Sequence, residues 1–361
     1  MDLIEIGKNI LKKINSLGYD AYIVGGAVRD FILQKEIHDL DLTTNMPLSL
    51  LSEHFTIKDN GSDYESLTIV MDKYSFEITH FRRDIEYTDH RHPKVELVDN
   101  FFMDSTRRDF TINALAMDST GEILDFHDGL KDLQDKVIKT IGDPFLRFTE
   151  DALRILRGLY FASKLDFEIE SNTLFAMVDK KELLATLSKE RLYQYFIKIL
   201  YADTDRGIRY INELNLFQYI PKFKRWLNLV DKNMKQEDLI YYYYLHKHDY
   251  PMSPTKEQVK ISNILDTLLK TDDSYTLYKN KDYYFKFKDI LRHFGCDIIG
   301  RDKKIEAFPI LSDKDLSLSK EEIASYFDGK DKALAIENVL RAILNNELEN
   351  DKEAIKKFIL K

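Results

Sequence analysis

One cysteine, one tryptophan and seven prolines are spread through 361 residues. Cys296 has no partner for an internal disulfide, and without a cysteine pair or quartet there is no thiolate zinc site. That usage suits a reducing compartment. No apolar run approaches the ~20 residues that a membrane span requires, so no membrane partner is expected. The opening MDLIEIGKNILKKI mixes charge with apolar residues at helical spacing and lacks the unbroken apolar stretch of a secretory signal. These absences point to a soluble, cytoplasmic protein. The net charge of −9 is not the basic balance that phosphate backbones usually attract. Tyr278 to Lys304 is nevertheless rich in lysine, arginine and aromatics, and reads equally as a solvated helical face or as a strip that tracks a nucleic-acid backbone.

What is present is an ordinary globular core, 44% hydrophobic, in a chain long enough for several packed units. The pattern predicts an α+β protein: a small mixed β-sheet head followed by an all-α remainder. Helical spacing over Ile4 to Leu17 precedes a short apolar strand, Ala21 to Val24, that ends at Gly25-Gly26. A helix follows from Ala27, then a strand carrying Asp39 and Asp41, then a turn at Asn45-Met46-Pro47. Ser66 to Met71 and Tyr74 to Thr79, parted by Asp72-Lys73, predict a hairpin. Arg82 to Asn100, with His90-Arg91-His92-Pro93, reads as an exposed loop, and two further strands flank Gly121. All strands are expected before about residue 140. Beyond Gly142-Asp143-Pro144 the spacing is helical, with helices over Phe148 to Leu165 and within Glu182 to Tyr201; Pro221, Pro251 and Pro254 punctuate the rest.

The chemistry is concentrated in four clusters. Asp39 and Asp41 alternate on a strand and so point to one face. There they can hold Mg²⁺, which favours one or two carboxylates completed by substrate phosphates. Gly25-Gly26 at a strand-to-helix turn either serves tight backbone geometry alone or lets a triphosphate approach the amides, with Arg29 adding charge. Asp30 reads as a turn cap or an arginine partner. Glu77 is either a third carboxylate for the metal site or a surface acid. In Arg107-Arg108-Asp109-Phe110-Thr111-Ile112-Asn113 the arginines suit phosphates, and a helix would put Asp109 and Asn113 on one face; an ordinary charged helix start has the same look. Last, Asp151 and Arg154 lie three apart in EDALRILR. On a helix they share a face, an acceptor beside a donor fork, which is either a plain ion pair or a mimic of the edge that pairs with cytosine and adenine. Uracil and guanine would meet the carboxylate acceptor to acceptor.

Taken together, GGAVRD, HDLDLTT, RRDFTINALAMD, DFHDGLKDLQDKVIKTIGDP, EDALRILR and KERLYQYFIKIL resemble, in order and spacing, the class II tRNA nucleotidyltransferases, the CCA-adding enzymes of the polymerase-β-like superfamily. FPILSDKDLSLSKEEI is similar to that family's tail. The resemblance implies a nucleotidyltransferase head over 1–141, a neck with a base-selecting helix over 142–200, a helical body over 201–260 and a tRNA-binding helical tail over 261–361. It implies template-independent addition of CCA to the 3′ end of tRNA from CTP and ATP, with no obligate protein partner. Asp39 and Asp41 would be catalytic and bind Mg²⁺, with Glu77 assisting. Gly25, Gly26 and Arg29 would hold the triphosphate, Arg108, Asp109 and Asn113 phosphate and ribose, and Asp151 and Arg154 the base, with Arg157 supporting that pair or touching phosphate.

Three departures stand out: Tyr160 replaces a frequent arginine, Tyr195 replaces a usual glutamate, and the tail reads DGKDKALAIENVL without its proline-glycine pair. A near-full-length run over Asp84 to Asp99 favours C and A addition over the CC-only relatives. The bacterial poly(A) polymerases and a non-catalytic RNA-binding protein are the other rivals. A phosphohydrolase reading of His127-Asp128 and His248-Asp249 fails for want of further histidines in register.

Overall fold

The computed structural model describes residues 3–58, 66–87, 93–219, 235–246 and 254–361, together with Lys224. His248-Asp249, Pro221, Pro251 and the centre of the Asp84 to Asp99 run, 88–92, lie outside the described residues. Two compact units divide the chain, 1–229 and 230–361.

The first unit is built on a seven-stranded mixed sheet. Helix α1 (Leu3–Ser16) buries Ile4, Ile6, Ile10, Leu11 and Ile14 along one stripe, as its spacing requires. Strand β1 (Ala21–Val24) then turns through Gly25 into α2 (Gly26–Ile32). Strand β2 (Asp41–Thr44), helix α3 (Leu48–His54), β3 (Thr56–Lys58) and the hairpin β4 (Ser66–Met71) and β5 (Tyr74–His80) follow. Short strands β8 (Ala116–Met117) and β9 (Ile123–Leu124) flank Gly121. The order is β3-β4-β5-β2-β1-β8-β9, with β2 and β5 parallel and the other pairs antiparallel.

Three expectations need correction, and one conditional reading is settled. Arg82 to Asn100 is not a plain loop: β6 (Arg82–Tyr87) pairs with β7 (Pro93–Leu97) as a two-stranded ribbon, and Arg83 on one strand bonds Glu96 on the other at 2.6 Å. A strand also lies beyond residue 140, because β11 (Glu168–Ile169) pairs in parallel with β10 (Val137–Ile138). Nor does a helix run through Arg107 to Asn113. Helix α4 (Phe101–Thr106) stops first, and only Thr111–Asn113 winds again, as a 3₁₀ turn. Finally, the helix expected over Phe148 to Leu165 is two: α6 (Pro144–Glu150) and α7 (Leu153–Leu165), parted at Asp151, whose φ of −145° and ψ of 101° are extended.

After α5 (Gly129–Gln134), α6 and α7, the helices α8 (Ser171–Lys180), α9 (Lys189–Leu200) and α10 (Arg206–Glu213) complete the described part of this unit. Packing around α7 is close. A methyl group built at Gly158 would lie 2.5 Å from Met177 Cε, and one at Gly207 2.6 Å from the Leu159 carbonyl. The second unit is helical throughout its described residues, with helices such as Lys256–Lys270, Asp331–Leu344 and Lys352–Ile359 around a core that includes Leu265, Leu291, Val339 and Ile343.

Candidate active site

The ladder of β2 begins at Asp41, so Asp39 precedes the strand. The alternation nonetheless runs through both residues: Leu40 and Leu42 are buried while Asp39 and Asp41 are exposed. Both carboxylates therefore share a face, as a period of two demands. The parallel pairing of β2 with β5 sets Asp41 opposite Glu77. Desolvation pushes the Asp41 carboxyl up, facing Glu77 and neighbouring Asp39 push it further, and Arg108 opposes them. A carboxylate destabilised by other carboxylates is one that a cation relieves. No group of three or more potential ligands is gathered tightly enough among the described residues to enclose an ion. The set fits a divalent ion that takes its remaining oxygens from a phosphate.

Gly25 adopts φ 73° and ψ −133°, a conformation that side chains rarely tolerate, and this releases the chain from β1 into α2. A Cβ there would also come within 3.5 Å of Arg108 Nη1. Arg29, one turn into α2, is almost wholly buried. It donates through Nε and Nη2 to Asp30 at 2.8 and 2.9 Å, and through Nη1 to Asn113 Oδ1 at 2.7 Å. Asp30 is thus the arginine partner that one reading anticipated.

The turn after α4 carries the third cluster. Buried Asp104 accepts Arg107 Nε at 2.9 Å and Arg108 Nη2 at 3.1 Å. Asp109 is brought to Asn113 by the 3₁₀ turn rather than by an α-helix: its Oδ1 accepts Phe110 N at 2.8 Å and Asn113 Nδ2 at 3.2 Å. Its Oδ2 accepts Arg157 Nε at 2.6 Å. Burial alone would raise the Asp109 carboxyl, but Arg157 and these hydrogen bonds hold it below the ordinary range. The same charge pushes the Arg157 guanidinium up.

At the fourth cluster, Asp151 occupies the junction rather than a helical face. Its Oδ1 accepts Leu153 N at 2.9 Å, leaving the carboxyl, raised chiefly by burial, beside the start of α7. Arg154 Nη1 donates to Glu150 at 2.9 Å and to the Arg147 carbonyl at 3.0 Å. Its Nη2 donates to the Arg107 carbonyl at 3.3 Å.

The four clusters meet in one cavity of about 410 Å³. Gly25, Gly26, Arg29, Asp41, Arg108, Asp109, Asn113, Asp151, Arg154 and Arg157 line it, as do Arg107, Leu153 and Phe161. Asp39, just before β2, and Glu77, opposite Asp41 on β5, do not line it. Phe161 escaped sequence reading because an aromatic on an apolar helix stripe looks like core. Its ring lies 5.3 Å from the Arg29 guanidinium carbon and 5.6 Å from that of Arg157, within cation–π reach of both. The two departures at Tyr160 and Tyr195 also meet, their rings edge-on at 6.5 Å, and Tyr195 Oη accepts Arg157 Nη1 at 3.4 Å. Of the basic, aromatic Tyr278 to Lys304 strip, Tyr284, Phe287, Ile290 and Leu291 are core, and Lys288 pairs with Asp302.

A strand pair presenting carboxylates, a glycine turn into a helix and an arginine-lined cavity define the head of a nucleotidyltransferase. Residues 21–139 match the family described as the poly A polymerase head domain, and 166–227 match a probable RNA and SrmB-binding site of polymerase A. The CCA-adding enzyme of Enterococcus faecalis is 42% identical over 60% of this chain and 54% of its own, so the matched segment spans about half the length of that relative. The CCA-adding enzyme of a Geobacillus species is 30% identical over 97% of this chain and 95% of its own. The crystal structure of the Bacillus stearothermophilus CCA-adding enzyme in complex with CTP superposes with a TM-score of 0.78 at 25% identity, covering 100% of this chain and 98% of that one. The chain belongs to the CCA-adding enzyme family. Nucleotidyltransferases of this kind generally use divalent metal ions. No described helix is long and apolar enough to cross a membrane.

Proposed function

We propose that this protein adds CCA to the 3′ end of tRNA in the cytoplasm, using CTP and ATP without a nucleic-acid template and releasing pyrophosphate. The observation that carries the reading is a single cavity lined by Asp41, Arg108 and Asp109 together with Asp151 and Arg154 at the head of α7.

Asp39 and Asp41 would hold Mg²⁺, with Glu77 beside them. An ion there would supply Lewis-acid stabilisation of the charge that develops as the terminal hydroxyl attacks the α-phosphate and pyrophosphate departs. Gly25, Gly26 and Arg29 seat the triphosphate against the start of α2, and Arg108, whose guanidinium lies beside Gly25, reaches it as well. Asp109, fixed by Arg157 and Asn113, accepts from the ribose. Asp151 supplies an acceptor and Arg154 a donor to the base edge, and Arg157 stands behind them. The four-part division at 1–141, 142–200, 201–260 and 261–361 belongs to the same proposal, the last part contacting tRNA.

The test is Mg²⁺-dependent extension of three tRNA transcripts, ending before CCA, after C and after CC, each given CTP, ATP, both, or UTP. Growth to CCA and no further is expected. A halt at CC would reassign the protein as a two-cytidine enzyme, and long A tails would make it a poly(A) polymerase. No extension at all would leave an RNA-binding protein.

A further inference from the structure

Arg147, in the last turn of α6, is a buried guanidinium that the function above does not use. Its Nη2 donates to two consecutive peptide carbonyls, Arg107 and Arg108, each at 2.6 Å. Its Nη1 donates to Glu150 Oε2 at 2.5 Å. These carbonyls follow the end of α4, where the backbone has run out of helical donors and a cation is favoured. Glu150 is shared, because the same Oε2 accepts Arg154 Nη1, and Arg154 Nη2 returns to the Arg107 carbonyl. The result is a closed ring: Arg147, Glu150, Arg154 and the Arg107 carbonyl.

The placement of that ring is what matters. On one side it grips the peptides of Arg107 and Arg108, the residues preceding Asp109 whose side chains face the cavity. On the other it grips Arg154, across the extended junction at Asp151. The helical ladder is interrupted there, so hydrogen bonds around Arg147 hold the two helices in register with the head turn.

We propose that Arg147 is a specificity-determining positioning residue, fixing the base-reading pair Asp151 and Arg154 at a set distance from the phosphate and ribose contacts of Arg108 and Asp109. This rests on the nucleotidyltransferase reading above. Arg147 touches no substrate. It acts by keeping two groups of contacts in register, so its loss blurs the choice of base while the hold on phosphates persists. A lysine is the discriminating replacement: its compact ammonium lacks the planar fork that serves both carbonyls and Glu150 at once.

The experiment is calorimetric binding of CTP, ATP, UTP and GTP, with inorganic tripolyphosphate as a base-free probe, to the wild type and to Arg147→Lys and Glu150→Gln. Thermal unfolding of each protein checks its fold. In Arg147→Lys the affinity ratio of CTP to UTP should fall by about tenfold, the loss expected from misplacing one good hydrogen-bonded contact. Tripolyphosphate binding should stay within about twofold, and Glu150→Gln should move the ratio in the same direction. An unchanged ratio in a folded Arg147→Lys protein, or equal loss for all four nucleotides and tripolyphosphate, would overturn the proposal and make Arg147 a structural staple. A wild type that binds all four nucleotides alike would instead overturn the functional reading itself, so the two failures are separable.

Discussion

Replacing Asp109 with asparagine removes one charge at the centre of the cavity and little else. Asn keeps an acceptor for Phe110 N and Asn113 Nδ2, which now meet Oδ1 at 2.8 and 3.2 Å. What disappears is the ion pair with Arg157 Nε at 2.6 Å. Stripping a partner from a fully buried pair costs about 3–5 kcal/mol. The Arg157 side chain is 37% exposed, and solvent screening lowers the expected loss to about 2 kcal/mol. At roughly 2–4 °C per kcal/mol for a unit of this size, Asp109→Asn should unfold about 4–8 °C below the wild type at pH 7 by calorimetry.

The pH dependence gives the sharper check. The folded Asp109 carboxyl lies below its ordinary value, so its contribution is fully present above the unfolded pKa and is lost as pH falls through the folded one. The gap between the two proteins should therefore hold through neutral pH and close on acidification below about pH 4, where the unfolded carboxyl titrates. Equal melting temperatures at pH 7, or a gap that persists undiminished to pH 3, would refute the reasoning.

Other perturbations separate chemistry from selection and from backbone geometry. Asp41→Asn should abolish incorporation on every transcript while leaving the fold intact by circular dichroism; residual CTP transfer near the wild-type rate would remove Asp41 from the metal site. Asp151→Ala should admit UTP and GTP at the expense of the CTP and ATP preference while some transfer survives; equal loss across all nucleotides with selectivity untouched would defeat the base-edge idea. Gly25→Ala forces a side chain into a backbone region that costs about 1–3 kcal/mol, and should lower the denaturation midpoint and raise the KM for CTP. An unchanged midpoint would show that the turn relaxes freely.

Where the sequence was legible, local chemistry and tertiary packing agreed. The Ala21–Val24 strand, the glycine turn and the Ser66–Met71 and Tyr74–His80 hairpin are short apolar runs bounded by turn residues, and nothing nearby contradicts them. The ribbon over Arg82–Tyr87 and Pro93–Leu97 was hidden by charge. Arg83 and Glu96 pair across the strands, so polar residues that look like loop are cross-strand partners. The break at Asp151 was hidden for the opposite reason. Phe148, Ala152, Ile155 and Leu156 are all buried, so apolar spacing continues straight across a junction whose φ and ψ do not. Asp151 N still bonds the Arg147 carbonyl at 3.2 Å, a helical contact carried into an extended residue. Arg147 itself was unreadable, because a charged residue beside Pro144 and Glu150 has the look of a solvated helix start. Its burial exists only once the turn after α4 is folded against it.

Six arginines line or back the cavity: Arg29, Arg107, Arg108, Arg147, Arg154 and Arg157. Eight carboxylates answer them, Asp30, Asp39, Asp41, Glu77, Asp104, Asp109, Glu150 and Asp151, an excess of two that a divalent ion would offset. A site that reads as strongly basic in its lining is close to neutral as a whole. Attraction at a distance scales with net charge, whereas recognition at contact depends on where each donor points. On the proposed reading, nucleotide capture by such a site owes more to fit at contact than to steering, so ionic strength should alter how fast a nucleotide arrives only slightly.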